Sequence, residues 1–129
     1  MQDYNSRTEK NLAGVHPDLI KVAHRAAELT EVPFLVTEGL RSMKRQRELV
    51  AAGASKTLKS RHLTGHAIDI VPIVSGEISW KTPAFTLPLD AFRRAAKELG
   101  VDVEFGADWK SWKDYPHIQL SAKTYPAAT

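Results

Sequence analysis

Residues 60–69 read Ser-Arg-His-Leu-Thr-Gly-His-Ala-Ile-Asp, a stretch in which a polar loop leads into a strand. Small and polar residues predict a loop over 54–64, whereas the apolar segment 67–71 predicts a strand that Pro72 ends. Gly65 lies between the two and permits a sharp backbone turn. We therefore expect loop side chains to meet the sheet at this junction.

The strand after the junction presents a carboxylate on one of its faces. Alternation places Asp69 on the same face as Ala67, while Ile68 and Ile70 point to the other face, towards a core. His62, in the loop, can converge with Asp69 on one ion if the chain turns at the intervening glycine. Such a pair also occurs by chance in surface loops, so it does not by itself establish a metal site.

A second group of polar residues lies at 114–120, which reads Asp-Tyr-Pro-His-Ile-Gln-Leu. If His117 opens a strand, it can supply a third ligand. The sequence contains no cysteine, so histidine nitrogens and carboxylate oxygens must hold any metal. Two nitrogens and one oxygen suit zinc and leave one coordination position for water. The metal then lowers the pKa of that water to about 7. Asp114 could accept its proton.

The rest of the chain predicts short strands between helices. Helices are predicted over 17–29, from a Ser42 cap to Gly53, and over 87–99. Strands are predicted at 34–37, 67–71, 101–105 and 117–120. The class is therefore α+β: a small single domain over 1–129, with an ordered core at about 10–120. A short, mostly antiparallel sheet packs with about three helices and carries the zinc site at one face. The first dozen residues and the tail after Leu120 are predicted to be loose.

The composition limits the class of protein. The chain has 129 residues, 43% of them hydrophobic, which suffices for one domain to bury a core. Its formal charge of +3 is a mild bias that does not choose among nucleic acid, membrane surface and cell-wall polymer. The first ten residues, MQDYNSRTEK, contain charges and no apolar run, so we expect no signal peptide and no membrane insertion.

The two polar groups together resemble motifs of the D-alanyl-D-alanine carboxypeptidase and VanY-like metallopeptidases. The signature SxHxxGxAxD is matched by Ser60, His62, Gly65, Ala67 and Asp69. The pair Asp114 and His117 resembles the second motif, although many relatives carry glutamate at the first of these positions. More closely, the chain is similar to the phage endolysins that are L-alanyl-D-glutamate peptidases. The similar segments are 38–41, 69–72, 76–80 and 105–109.

The resemblance implies a site. The implied zinc ligands are His62, Asp69 and His117. Asp114 is implied as the catalytic acid and base. Arg41 matches an arginine that contacts the substrate carbonyl or the transition-state oxyanion, and Ser60 matches a serine that contacts the substrate.

The resemblance also implies an activity, the cleavage of the L-alanyl-D-glutamate bond of peptidoglycan stem peptides during host cell lysis. We expect a monomer without a nucleic-acid partner. It would be made in the host cytoplasm and act in the periplasm once the membrane has been permeabilised. Two alternatives remain at this point: a zinc D,D-carboxypeptidase that removes terminal D-alanine, and a non-catalytic module that binds cell-wall polymer.

Several further side chains invite a functional interpretation but have simpler ones. His66 is predicted to point away from the metal site, and Asp108 is predicted to be an exposed loop residue. Trp80 is predicted to pack. Trp109 and Trp112 are compatible with cleft lining and with packing, and the sequence does not choose between these roles.

Overall fold

The computed structural model describes residues 4–55, 57 and 59–126. Its helices are α1 (Tyr4–Leu12), α2 (Pro17–Leu29), α3 (Met43–Ala51) and α4 (Thr86–Leu99). Its strands are β1 (Phe34–Glu38), β2 (Ala67–Val74), β3 (Glu77–Ile78), β4 (Val103–Phe105) and β5 (His117–Leu120). Short 3₁₀ helices cover Arg61–Thr64, Thr82–Phe85 and Gly106–Asp108. None of the helices in these ranges is long and apolar enough to cross a membrane.

The sheet has the strand order β1-β2-β5-β4, and β3 forms a short hairpin with the end of β2. Every pairing is antiparallel. One face of the sheet packs in the core: Ile68, Ile70 and Ile118 are fully buried, together with Leu19 of α2 and Phe92 of α4. The predicted α+β domain with an antiparallel sheet is confirmed. The alternation of β2 leaves Asp69 on the face opposite the isoleucines.

The helix α1 lies where the sequence predicts a loose segment, so the described residues form four helices where about three were predicted. This helix is polar, and its contacts with β1 are made largely by side chains. Asn11 donates from Nδ2 to the Val36 carbonyl at 2.8 Å, and Thr8 Oγ1 accepts from the Val36 N–H at 3.0 Å. Leu12 is buried. The helix therefore covers the outer edge of β1 and bonds to it through polar side chains. A helix held in this way has no apolar stripe, so apolar periodicity cannot detect it.

The prediction that Pro72 ends the strand after the metal-binding loop is wrong, since β2 continues to Val74. Proline removes a single donor, and the neighbouring groups remain paired. The Pro72 carbonyl accepts from the Ser79 N–H at 2.9 Å, and the Ile73 N–H donates to the Pro33 carbonyl at 2.8 Å. Hydrogen bonds on both sides of the missing N–H thus sustain the strand.

One prediction about packing also needs correction. Trp80 is 62% exposed and does not pack in the core. In α3, Met43 is exposed and Gln46 is the residue that is fully buried. The predicted Ser42 cap is confirmed, since its side chain accepts from the Arg45 N–H at 3.1 Å.

Candidate metal centre

The centre forms where β2, β5 and the 3₁₀ turn Arg61–Thr64 meet. Asp69 and His117 are directly opposite each other in the β2–β5 pairing, so their side chains share the face of the sheet that is turned away from the core. His117 Nδ1 lies 3.4 Å from Asp69 Oδ1. His62 Nε2 lies 3.3 Å from the same oxygen. The Ser60 side chain fixes the turn by accepting from the His62 N–H at 3.2 Å.

The outer nitrogen of each histidine ring is already hydrogen bonded. His62 Nδ1 donates to the Gly39 carbonyl at 2.9 Å, and His117 Nε2 donates to Gln119 Oε1 at 2.8 Å. A neutral imidazole carries one N–H, so these bonds place the proton on the outer nitrogen. The inner nitrogens of both rings therefore turn lone pairs towards Asp69.

Three electron-rich atoms thus face one another with no donor among them. His62 Nε2 and Asp69 Oδ1 are buried, and neither has a hydrogen-bond partner in the described part of the chain. One ligand atom from each of His62, Asp69 and His117 lies within 4.8 Å of the others. Buried lone pairs so close together repel unless a cation lies between them. This donor set fits a metal ion.

The titration behaviour of the cluster agrees with a preference for positive charge. Burial alone would raise the pKa of Asp69, but the rings of His117 and His62 outweigh burial and hold that pKa well below its usual range. Burial alone would lower the pKa of His117, but the neighbouring Asp69 carboxylate outweighs burial and raises it. Both shifts favour a carboxylate beside a cation.

Arg41 lies at the edge of this cluster, and its side chain is almost fully buried. It donates from Nε and Nη2 to the two carboxylate oxygens of Glu38, at 2.6 and 2.8 Å, and from Nη1 to Gln46 Oε1 at 2.7 Å. Nη1 is 3.5 Å from Ser60 Oγ, and Nη2 is 3.7 Å from Asp69 Oδ2. The guanidinium is therefore clamped beside the oxygen of Asp69 that is not shared by the histidines.

Asp114 is in the loop before β5, on the wall of the same cleft. Its backbone N–H donates to the Gly106 carbonyl at 3.0 Å, and a Cβ at position 106 would overlap the Asp114 carbonyl oxygen. Its side chain forms no hydrogen bond or ion pair with any described residue. The pKa of Asp114 is raised. The larger cause is partial desolvation of the carboxylate in the cleft, and the second is the negative charge of Asp69.

The cluster lies in an open cleft of about 360 Å³. Trp109 and Trp112 both line the cleft, and the Trp109 ring centroid is 5.2 Å from that of His117. Of the two roles that the sequence allows for these tryptophans, cleft lining is therefore the one seen in the structure. As predicted, His66 is outside the cleft, where its Nδ1 is 2.6 Å from Thr64 Oγ1.

Asp108 is also outside the cleft lining and exposed, as predicted. Both of its carboxylate oxygens accept from Arg93, at 2.8 Å each. Both oxygens of Asp108 are therefore engaged by Arg93, whereas the carboxylate of Asp114 has no such partner among the described residues.

The sequence model of a family described as phage L-alanyl-D-glutamate peptidase matches residues 2–127. The chain belongs to this family. The resemblance on which the sequence analysis relied is thereby confirmed, at the level of the endolysin-like subgroup.

Three individual proteins that are similar to this chain carry the same L-alanyl-D-glutamate peptidase description. The L-alanyl-D-glutamate peptidase of Escherichia phage T5 is 40% identical over 126 residues, covering 95% of this chain and 91% of that protein. The peptidoglycan L-alanyl-D-glutamate endopeptidase CwlK of Bacillus subtilis is 32% identical over 115 residues, covering 74% of this chain and 65% of that protein. The crystal structure of the L-Ala D-Glu endopeptidase ChiX of Serratia marcescens aligns with a TM-score of 0.91 and 54% identity, covering 95% and 92% of the two chains.

Four residues that support the site of this peptidase family member were missed by the sequence analysis: Gly39, Glu38, Gln46 and Gln119. Two of them had a local signal. Gln119 is two residues after His117 and so shares its face of β5, and Glu38 is three residues before Arg41. Gly39 accepts from His62, 23 residues away, and Gln46 contacts residues outside its own helix, so neither of them had a local signal. A Cβ at Gly39 would overlap the Asn11 carbonyl, so only glycine lets this segment approach α1 so closely.

Proposed function

We propose that this protein is a zinc-dependent endopeptidase that hydrolyses the L-alanyl-D-glutamate bond of peptidoglycan stem peptides. The observation that carries the proposal is the convergence of His62 Nε2, His117 Nδ1 and Asp69 Oδ1 in an open cleft, with their lone pairs facing one another. A non-catalytic wall-binding module has no need of such a centre. The proposed scissile bond is the one that the related peptidases are named for, between L-alanine and D-glutamate.

Zinc is the metal that best suits two imidazole nitrogens and one carboxylate oxygen, and the hydrogen bonds from the outer ring nitrogens are typical of zinc-binding histidines. A bound zinc ion would polarise the scissile carbonyl and lower the pKa of water towards neutrality. The rest of the reaction depends on the side chains around the centre.

Asp114 is proposed to act as the general base and then as the general acid. Its carboxylate lines the cleft and has no partner among the described residues, so it is available to take a proton from the attacking water. The same carboxyl group can then donate that proton to the leaving amine of D-glutamate. Because the Asp114 carbonyl packs against Gly106, the backbone places this side chain at a defined position.

Arg41 is proposed to donate hydrogen bonds to the scissile carbonyl oxygen as it becomes an oxyanion. Glu38 and Gln46 orient the guanidinium before substrate arrives, so no reorganisation is needed during the reaction. Ser60 is proposed to contact the substrate. Its hydroxyl accepts from the His62 N–H and lines the cleft, which leaves its own hydrogen free to donate.

The bond specificity can be tested by digesting purified peptidoglycan and analysing the products by mass spectrometry. Cleavage between L-alanine and D-glutamate releases stem fragments with a new amino terminus at D-glutamate. A D,D-carboxypeptidase would instead release free D-alanine. Release of D-alanine without stem fragments would contradict the proposal.

The setting of the reaction follows from the substrate. We propose that residues 1–129 act as one monomeric peptidase domain on the cell wall, in the periplasm, after the membrane has been permeabilised. Its partner is the peptidoglycan stem peptide, and we propose no nucleic-acid role. The formal charge of +3 favours approach to an anionic wall.

A further inference from the structure

The positive charges around the cleft are not equivalent. Among the described residues, the cationic side chains that line it are Arg41, Lys59 and Arg61. Arg41 is neutralised by Glu38, whose two carboxylate oxygens it binds. Arg61 Nη2 donates to the carbonyls of Leu120 and Tyr125, at 2.7 and 2.8 Å. Two of the three cations are therefore committed to the fold.

Lys59 differs from both arginines. It is exposed, and its ammonium has no hydrogen bond or ion pair with any described residue. Its backbone is nevertheless positioned, because the Lys59 N–H donates to Thr57 Oγ1 at 2.9 Å and Ser60 caps the turn that carries His62. Three residues span at most about 11 Å, so the lysine stays close to the metal centre. Among the described residues the ammonium is therefore unpaired, on a part of the cleft wall whose backbone is hydrogen bonded.

The substrate of the proposed reaction carries a matching charge. Glutamate has two carboxyl groups, and a peptide chain uses only one of them to continue beyond the residue. A free carboxylate therefore lies immediately beyond the scissile L-alanyl-D-glutamate bond. Among the described residues, the acidic side chains that line the cleft are Glu38, Asp69 and Asp114, and they would repel it. A carboxylate in this cleft needs an exposed cation that is not already held by the fold.

We propose that Lys59 binds the free carboxylate of the D-glutamyl residue and so determines specificity on the leaving-group side of the bond. This inference rests on the proposed endopeptidase function. Lysine suits the task because its ammonium is a compact charge on a flexible stem that can follow the substrate. Since the site is exposed, the preference it confers is up to about fivefold in kcat/KM, the size of a strong solvent-exposed ion pair.

The test compares two synthetic stem peptides that begin with L-Ala–D-Glu and differ in one group. One peptide retains the free carboxylate, and in the other this group is a carboxamide. The value of kcat/KM for each is measured with zinc-loaded wild type, Lys59→Met and Lys59→Arg. Lys44→Met, which removes an exposed α3 lysine outside the cleft lining, is the control for the change in net charge.

Wild type, Lys59→Arg and Lys44→Met should prefer the carboxylate peptide, and the preference should shrink as salt is added. In Lys59→Met the ratio of the two kcat/KM values should fall close to one. A wild-type ratio of one, or an unchanged ratio in Lys59→Met, overturns the role of Lys59 while leaving the proposed function intact. Failure of wild type to cut either peptide at this bond overturns the proposed function, and the inference with it.

Discussion

Glu38 holds Arg41 through two hydrogen bonds, 2.6 Å from Nε to Oε1 and 2.8 Å from Nη2 to Oε2. A register shift in β1 between Val36 and Glu38 brings Glu38 opposite Asp69, so Arg41 lies between two carboxylates. The paired guanidinium has a fixed orientation and a partly neutralised charge. Its role in the proposed reaction therefore depends on Glu38 as well as on its own position.

Glu38→Gln tests this dependence. The amide can accept one hydrogen bond but cannot bind the guanidinium with two charged oxygens, so Arg41 should lose its fixed orientation. We expect kcat to fall about tenfold with zinc content unchanged, as measured by steady-state kinetics and metal analysis. Glu48→Gln is the matched control, since Glu48 is exposed on α3 and, within the described part of the chain, its side chain pairs only with Arg45. Equal kcat values for wild type and Glu38→Gln would contradict the positioning role.

Arg41 itself should affect both turnover and stability. Arg41→Ala removes the proposed oxyanion donor, for which a loss of about 10²- to 10³-fold in kcat is expected. It also leaves Glu38 and Gln46 without their partner, so the Tm should fall. Arg41→Lys retains the charge without the two-pronged geometry, so it should lose turnover with a smaller change in Tm. Full activity of either variant would exclude the oxyanion role.

Removal of any proposed ligand should abolish metal binding. Alanine at His62, Asp69 or His117 breaks the three-atom donor set, so each variant should lose bound zinc and lytic activity together. The wild type should lose activity with a chelator, regain it with zinc, and gain about 2.7 kcal/mol of stability at a zinc concentration 100 times the Kd. His24→Ala is the control, because His24 is exposed and pairs with Glu9. Zinc bound at wild-type stoichiometry in a ligand variant would refute the assignment.

Substitution of Asp114 should lower the rate of hydrolysis without removing the metal. Asp114→Asn cannot accept a proton, so kcat should drop by about 10²- to 10⁴-fold while the protein keeps its zinc. Asp114→Glu should retain partial activity, since many relatives of the wider family carry glutamate at this position. The control is Asp108→Asn, which weakens an exposed ion pair with Arg93 and should leave turnover near that of wild type. An asparagine variant that cuts at the wild-type rate would remove Asp114 from the mechanism.

Gln119 should tune the affinity for the metal. Its side-chain oxygen accepts from His117 Nε2 and so keeps the inner nitrogen of that ring unprotonated. Gln119→Leu should weaken zinc binding by about 10- to 100-fold, whereas Gln119→Glu should retain or strengthen it. Competition with a fluorescent zinc chelator measures both affinities. Identical affinities for wild type and Gln119→Leu would show that the tautomer is set by other means.

Much of the centre follows from local sequence, because its ligands lie on short segments with clear periodicity. The alternation of 67–71 predicts that Asp69 faces away from the buried isoleucines, and a strand beginning at His117 predicts that its ring can reach the same face. The α+β class, the Ser42 cap and the exposed position of Asp108 follow in the same way. The resemblance carried by 60–69 and 114–117 then implied the family that the comparisons confirm.

Residues whose roles depend on tertiary contacts could not be predicted, because their partners lie on other segments of the chain. Gln46 is buried because Arg41 and the loop around Thr57 surround it, and its helix alone gives no sign of this. The polar helix α1 is held against β1 by side-chain hydrogen bonds and has no apolar stripe that the sequence could reveal. Lys59 becomes distinctive only once the two arginines of the cleft are seen to be occupied. Sequence determined which side chains can bind a metal; the tertiary structure decided which charges around them remain free, because charge pairing depends on distances that periodicity does not contain.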